Sequence, residues 1–274
     1  MSRADSPALQ PSPANRLGVS SEARLRTRIL HTSDFHGRLT ADALERLKSL
    51  RADCDLYFDC GDGLAVGNIG IPLQEDPYWR AMKELRCSAS VLGNREFHIS
   101  SAAMRKKLKG CSHPVVCANL EWNNRRGKPL IPARDKSEWW PSPTSPLPGG
   151  LRLQGSMTVF GLMVPMVTKR MAARHMSSFL NTDPISAARS ALTELSPKAK
   201  LVVCLSHLGL SKDRDVAAAC PEIDVIFGGH SHDVLQQPEK IGDVWIVHTG
   251  SHGRFAGIFE WADGRRSWEL VPLT

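Results

Sequence analysis

The 274-residue sequence lacks the features of a membrane-spanning or disulfide-stabilised protein. Aromatic residues make up only 6% of the chain, and no apolar run approaches the ~20 residues that a membrane-spanning helix needs. The seven cysteines are odd in number and scattered, and none of them forms a C-x-x-C pair. This spacing argues against a disulfide framework and against a thiolate metal site. We therefore expect reduced thiols and no membrane partner.

The first 26 residues contain no apolar stretch of the kind that a secretory signal requires. Their content of Ser, Pro, Ala and Arg predicts a disordered tail over residues 1–26, followed by one domain over residues 27–274. The formal net charge of +7 permits an anionic partner without requiring one. We predict a cytoplasmic protein of unknown oligomeric state.

From residue 27 onward, apolar runs that end beside glycine alternate with helical patterns, which indicates an α/β domain. Asp263-Gly264 predicts a hairpin turn near the end of the chain. Helical spacing of apolar residues predicts helices over 41–50, 78–85, 101–109 and 184–195. Strands are predicted over 28–32, 56–60, 88–92, 114–119, 157–164, 201–206, 224–227, 244–249 and 257–261.

The polar segment over residues 121–150 contains six prolines and is too long for a plain connection in a compact domain. One interpretation is a functional loop whose aromatic and basic side chains contact the substrate. The alternative is a solvated insertion without a direct role. The candidate contact residues are Trp122, Arg125, Arg126, Lys128, Trp139 and Trp140.

Asp, Asn or His side chains, all of which can bind a metal ion, follow five of the predicted strands. The carboxyl ends of strands in an α/β sheet converge, so these residues are expected to meet although they are distant in sequence. A single His at a strand end is more often a hydrogen-bonded structural residue, but the repeated pattern beside glycine favours a metal site. Carboxylate, amide and imidazole donors without thiolate suit Mn, Fe, Zn or Mg. The seven candidate ligands are Asp34, His36, Asp62, Asn94, His207, His230 and His232.

The motifs that hold these residues resemble the five successive motifs of calcineurin-like metallophosphoesterases, and particularly those of the 5′-nucleotidase branch. They are ILHTSDFHG (29–37), FDCGD (58–62), GNREFH (93–98), SHLG (206–209) and GGHSH (228–232). The resemblance spans residues 28 to about 261. It implies an α/β fold that is a four-layer α/β/β/α sandwich of two mixed sheets, with the metal site at the carboxyl ends of the strands.

The same resemblance implies how two divalent metal ions would be held. Asp34, His36 and His232 would bind one ion. Asn94, His207 and His230 would bind the other, and Asp62 would bridge the two. Two ions ~3.5 to 4 Å apart can lower the pKa of a bridging water to near neutrality. We therefore expect hydrolysis of a small phosphate mono- or diester by a metal-bridging hydroxide, with nucleotide-like substrates among the candidates.

The third motif departs from the pattern GNHEFD of the resembled branch, because Arg95 and His98 replace its His and Asp. Arginine cannot deliver a proton at neutral pH, but its guanidinium donates bidentate hydrogen bonds to phosphate. We predict that Arg95 is an electrostatic clamp beside Asn94. His98 is either a substitute general acid, since its reference pKa is near 6.5, or a surface residue on the following helix.

Two other functions remain open at the level of the sequence. A nucleic-acid-processing phosphodiesterase would use the same metal centre, and the nine basic residues between Arg105 and Lys136 would grip the backbone. A non-catalytic metal-binding regulatory module would account for the altered third motif. From the resemblance we also expect that the C-terminal domain, which binds the nucleoside base in typical 5′-nucleotidases, is missing and that local loops determine specificity.

Overall fold

The structure is a computed structural model that describes residues 26–123, 150–153, 157–195, 199–262 and 264–274. The strands are β1 (Arg26–Thr32), β2 (Leu56–Asp59), β3 (Ala89–Val91), β4 (Val115–Val116), β5 (Leu120–Trp122), β6 (Gly150–Leu153), β7 (Met157–Met163), β8 (Phe179–Asn181), β9 (Leu201–His207), β10 (Val225–Gly228), β11 (Glu239–Ile241), β12 (Val244–His248), β13 (Phe255–Ala262) and β14 (Arg265–Pro272). The helices are α1 (Ala41–Ala52), α2 (Pro77–Glu84), α3 (Ser101–Lys107), α4 (Pro184–Leu195) and α5 (Leu210–Ala219), and a 3-10 turn covers Ala172–His175.

The strands form two six-stranded sheets of mixed direction and one short pair. The first sheet has the order β14-β13-β1-β2-β3-β4, and the second has the order β11-β12-β10-β9-β7-β6. Strands β1 to β4 run parallel, whereas β13 pairs antiparallel with β1 and β14 pairs antiparallel with β13. In the second sheet β7, β9, β10 and β12 run parallel and β6 and β11 antiparallel to their neighbours. The predicted α/β fold with two mixed sheets is confirmed.

Alternating side chains of the strands build the layers. Ile29 points into a cluster shared by both sheets, whereas the next residue, Leu30, packs with helices α1 and α2. Val203 of the second sheet joins the shared cluster, and its neighbour Cys204 packs with α4 and α5. Because successive side chains of a strand point to opposite faces, each sheet is apolar on both faces. The result is helices on either side of two stacked sheets.

Local sequence signals explain where the helices begin. The Thr40 hydroxyl accepts from the Ala43 N–H, 3.2 Å away, and caps α1. Asp76 caps α2 through the Tyr78 N–H, and Pro77 occupies the first helical position, where its missing N–H leaves no bond unmade. The predicted strand at 257–261 lies within β13, which pairs antiparallel with β14. Asp263 of the predicted hairpin turn lies outside the described residues.

The structure corrects one expectation about the 121–150 segment. Trp122 is the last residue of β5, and the centroid of its ring lies 4.7 Å from that of Phe179 on the paired strand β8. It therefore belongs to the packed domain rather than to a free loop. Arg125, Arg126, Lys128, Trp139 and Trp140 lie outside the described residues, as does the tail over residues 1–25. No helix among the described residues is long and apolar enough to cross a membrane.

Candidate metal centre

The predicted ligands lie at the carboxyl ends of β1, β2, β3, β9 and β10, where the two sheets face each other. Five of them adopt positive φ, an uncommon backbone conformation for residues other than glycine. They are Asp34 (φ 54°), His36 (φ 53°), Asp62 (φ 56°), His230 (φ 75°) and His232 (φ 60°). Such strained backbone persists only where the surrounding structure enforces it, and it clusters at functional sites.

One group of donors comes from the loops after β1 and β10. The Nε2 atoms of His36 and His232 lie 2.9 Å apart. Each of them is 3.5 Å from Oδ1 of Asp34. The other carboxylate oxygen of Asp34 accepts from the His230 N–H at 2.9 Å, which ties the two loops together. We call Asp34, His36 and His232 the first half-site.

A second group comes from the ends of β3, β9 and β10. Asn94 Oδ1 lies 3.1 Å from His207 Nε2 and 3.1 Å from His230 Nδ1. His207 is fully buried, and its Nδ1 lies 2.6 Å from the carbonyl oxygen of Cys60, which fixes the ring orientation. We call Asn94, His207 and His230 the second half-site.

Asp62 lies between the half-sites. Its Oδ2 is 4.0 Å from His36 Nε2, and its Oδ1 is 3.4 Å from His207 Nε2. The backbone N–H of Arg95 donates to Oδ1 at 2.8 Å. The carboxylate therefore faces both groups, which is the position that a bridging ligand requires.

Glu96 holds this loop in place and was missed by the sequence analysis. The buried carboxylate accepts from the N–H groups of Asp62, Gly63 and Gly93 at 2.8 to 3.0 Å. Gly93 is required here because a Cβ at its position would lie 2.2 Å from Asp62 Oδ1. The glutamate in the GNREFH motif was the available signal, but its role depends on the loop after β2 folding over it.

Electrostatics within the site favour charged carboxylates. Burial alone would raise the pKa of Asp34, but the adjacent imidazoles of His232 and His36 outweigh burial and lower that pKa below its usual range. Burial would likewise lower the pKa of His207, yet Asp62 raises it to about 9. A proton on His207 thus balances the carboxylate charge in the metal-free protein. A bound cation would take over that role and displace the proton.

The donor set fits divalent cations. Oδ1 of Asp34 is buried and has no hydrogen-bond partner among the described residues, although two imidazole nitrogens lie 3.5 Å from it. A buried carboxylate oxygen without a partner is costly unless a cation satisfies it. The ligating atoms of Asp34, His36 and His232 lie within 4.8 Å of one another, and so do those of Asp34, Asp62 and His207.

The third motif lies beside the second half-site. Arg95 Nη1 donates to the carbonyl oxygens of Leu64 and Ala65, each at 3.1 Å, which anchors its guanidinium on the loop after β2. His98 precedes α3, and its Nδ1 accepts from the Ser100 N–H at 2.9 Å. Burial, together with the charge of Lys107, lowers the pKa of His98. The neutral ring therefore carries its proton on Nε2.

Asn68 and Lys107 brace Asn94 from outside, and the sequence analysis identified neither. Asn94 Nδ2 donates to Asn68 Oδ1 at 2.9 Å, which directs the Asn94 carbonyl oxygen toward the histidines. The buried Lys107 Nζ donates to the carbonyl oxygens of Gly67, Asn68 and Arg95 at 3.0, 2.9 and 2.5 Å. These contacts join segments that are far apart in sequence, so no local sequence pattern predicts them.

His252 is a further histidine at the site. Its ring centroid lies 5.2 Å from that of His36 and 5.6 Å from that of His232, and its backbone N–H donates to the Asp34 carbonyl at 2.8 Å. Ser251 Oγ is 2.9 Å from its Nδ1. The segment Gly-Ser-His-Gly after β12 could have been noticed as another glycine-flanked donor at a strand end.

The family model for calcineurin-like phosphoesterase matches residues 27–234. The chain therefore belongs to the calcineurin-like phosphoesterase family. Among curated proteins, it is 26% identical over 247 residues to the uncharacterized metallophosphoesterase YunD of Bacillus subtilis, covering 85% of this chain and 49% of YunD. It is 21% identical over 312 residues to Protein UshA of Escherichia coli, covering 94% of this chain and 54% of UshA. The chain spans about half the length of these two relatives.

Solved structures share the fold. The 5′-nucleotidase precursor from Thermus thermophilus superposes with a TM-score of 0.66 at 22% identity, covering 90% of this chain and 54% of that one. The calcineurin-like phosphoesterase YfkN from Bacillus subtilis gives a TM-score of 0.63 at 19% identity, and the match covers 91% of both chains. The resemblance noted in the sequence motifs is confirmed at the level of family and fold.

Proposed function

We propose that the protein hydrolyses phosphate mono- or diesters with two divalent metal ions. The observation that carries the proposal is the position of Asp62, which faces His36 of one half-site and His207 of the other at 4.0 and 3.4 Å. In this proposal Asp34, His36 and His232 hold one ion, Asn94, His207 and His230 hold the other, and Asp62 bridges them. Paired ions supply an activated water and neutralise charge on the phosphoryl oxygens.

The chain's own residues orient the phosphoester. Arg95 is anchored through Nη1, which leaves its Nε and Nη2 without a hydrogen bond among the described residues. We infer that the remaining N–H groups of Arg95 bind a phosphoryl oxygen. The relatives named as nucleotidases support nucleotide-like phosphoesters as one substrate class.

His98 contributes little to leaving-group departure in this proposal. Its lowered pKa keeps the ring neutral at pH 7, and a neutral imidazole is a far weaker acid than an imidazolium. Good leaving groups need no protonation, whereas an alkoxide does, and a general acid is typically worth about 10² to 10⁴ in rate. We therefore expect aryl esters to be hydrolysed much faster than nucleoside monophosphates.

Kinetics on metal-reconstituted protein test both parts of the proposal. The substrates are p-nitrophenyl phosphate, bis-p-nitrophenyl phosphate and AMP, each measured as kcat/KM for the wild type, Arg95→His and His98→Ala. We expect turnover of at least one aryl ester, a smaller gap between aryl ester and AMP in Arg95→His, and unchanged ratios in His98→Ala. Metal-loaded protein without turnover would favour the regulatory module instead. A selective loss of AMP hydrolysis in His98→Ala would assign the general acid to His98.

The cytoplasmic location belongs to the same proposal. All seven cysteines lie in the described part of the chain and are free thiols, which is the usual state in a reducing compartment. Six of them are buried, Cys60 between the two sheets and the other five between helices and a sheet, where they pack as small apolar residues. They are Cys54, Cys60, Cys87, Cys117, Cys204 and Cys220.

A further inference from the structure

Exposed large apolar side chains are concentrated on two loops beside the third motif. Among the described residues there are five, Ile69, Ile71, Leu73, Met171 and Met176, which we call the apolar rim. Ile69 is 88% exposed and Leu73 is fully exposed, so these two side chains protrude into solvent. Surface apolar residues are normally scattered, and a local concentration of them marks an interaction site.

Both loops contact the segment that contains Asn94 and α3. The loop with Ile69 and Leu73 is fixed at its base, where Lys107 binds the Gly67 and Asn68 carbonyl oxygens. The loop with the two methionines contacts the start of α3, where Ser178 N–H donates to the Ile99 carbonyl at 2.7 Å and Ser178 Oγ accepts from the Ser101 N–H at 3.3 Å. Both loops are therefore hydrogen-bonded to the segment from Asn94 to Lys107, next to the candidate metal centre.

The surroundings of the rim are strongly basic. Residues 101–109 contain four Lys or Arg and residues 166–178 contain three, and neither segment contains Asp or Glu. Lys107 is buried, which leaves six Lys and Arg of these two segments exposed or partly exposed. Glu75 is the exposed acidic residue on the loop with Ile69 and Leu73. Protruding aliphatic side chains beside clustered cations are the combination that binds anionic bilayers peripherally.

The side-chain types favour a lipid surface over other partners. Stacking platforms for nucleobases are built from aromatic rings, and the rim consists of Ile, Leu and Met. Protein interfaces are enriched at their centres in Tyr and Trp as well as in Met and Arg, and the rim contains Met but neither aromatic residue. We propose that the apolar rim and its flanking basic segments dock the protein on the surface of an anionic bilayer.

This inference departs from the expectation of no membrane partner, which was drawn from the lack of a membrane-spanning segment and did not consider surface binding. It stands independently of hydrolysis. If the proposed function also holds, docking would bring the metal centre to phosphoesters that are displayed at the bilayer surface.

Vesicle co-sedimentation of the full metal-loaded chain tests the proposal. One set of vesicles contains phosphatidylcholine alone, and the other is an equimolar mixture with phosphatidylglycerol. We expect pelleting with the anionic vesicles, little with the neutral ones, and weaker binding as salt rises, because salt screens the charges. The double variant Ile69→Ser/Leu73→Ser should bind at least about tenfold more weakly.

Charge variants provide the matched control. Lys169→Gln/Arg170→Gln removes two exposed cations beside Met171 and should weaken binding by about tenfold. Arg189→Gln/Lys212→Gln removes two exposed cations from α4 and α5, in the opposite helix layer, and should bind like the wild type. Circular dichroism verifies that each variant is folded.

Three results would overturn the proposal. They are wild-type protein that does not bind anionic vesicles, binding by Ile69→Ser/Leu73→Ser that equals wild-type binding, or equal losses of vesicle binding in both charge variants. Self-association of the wild type that disappears in Ile69→Ser/Leu73→Ser would assign the rim to a second copy of the chain. Hydrolysis of p-nitrophenyl phosphate is measured without vesicles in parallel. Its absence would reject the proposed function and leave the vesicle result standing.

Discussion

The two half-sites are held in place by different means. In the first half-site all three donors adopt positive φ, and His232 is 38% exposed at its side chain. In the second, His207 is the last residue of a regular strand and fully buried, and Asn94 is braced by Asn68. His230 of the second half-site also adopts positive φ, so strained backbone holds every donor of the first half-site but one donor of the second. The other two, His207 and Asn94, are held by contacts to the Cys60 carbonyl oxygen and to Asn68. The comparison indicates that the second half-site is more rigidly preorganised.

The largest effect is expected at Asp62, because its carboxylate faces both half-sites. If Asp62 bridges two ions as proposed, Asp62→Asn should lower metal content in both half-sites and reduce kcat/KM by at least about 10³-fold, because the negative charge between the ions is lost. Elemental analysis and hydrolysis of an aryl phosphate measure the two effects. Asp215→Asn, an exposed carboxylate on α5, serves as the control. Full metal content with full activity in Asp62→Asn would contradict the assignment.

Removing the hydrogen bond between Asn94 and Asn68 should make the second half-site less rigidly preorganised and therefore more like the first. Asn68→Ala leaves Asn94 Nδ2 without its acceptor and should weaken metal binding at the second half-site by about 10- to 100-fold, as loss of an outer-shell partner typically does. Asn68→Asp keeps an acceptor oxygen and should restore most of the affinity. Isothermal titration with Mn²⁺ measures both variants. Equal affinities in the wild type and Asn68→Ala would remove Asn68 from this role.

Chelation should separate the half-sites in wild-type protein. We expect EDTA to remove about one equivalent of metal from the first half-site before the second, with dissociation constants that differ by roughly tenfold or more. Metal content after stepwise chelation gives the order. His232→Ala should leave one retained equivalent, and simultaneous loss of both ions from the wild type would show that the half-sites are equally preorganised.

The smallest expected effect depends on pH. In metal-free protein Asp62 raises the pKa of His207 to about 9, so the protonated pair stabilises the fold fully below about pH 6.5, and this stabilisation is lost as pH rises toward 9. Loaded protein does not depend on that proton. The Tm difference between loaded and metal-free protein should thus grow by several degrees from pH 6.5 to 9. A Tm difference that shrinks between pH 6.5 and 9 would contradict this prediction.

The strand rhythm predicted an α/β domain because it follows local rules, whereas the two stacked sheets were expected from the resemblance to the calcineurin-like family. Strand ends beside glycine indicated Asp34, Asp62 and His207, and the structure brings the ligand atoms of these three within 4.8 Å of one another. The bracing residues were not predictable in the same way, since Asn68 and Lys107 act on Asn94 and Arg95 only after α3 packs against the loop that follows β2. Helix α5 was missed because its sequence, LSKDRDVAAA, has weak apolar periodicity.

The left-handed backbone of the five donors has a consequence for the abundance of the protein in a cell. Each such residue costs roughly 1 to 2 kcal/mol relative to an ordinary conformation, and a whole domain is stable by only about 5 to 15 kcal/mol. A chain that folds before it acquires its ions would therefore open more often and be degraded by proteases more readily than the loaded protein. The supply of metal would then set how many copies survive, in addition to how many are active.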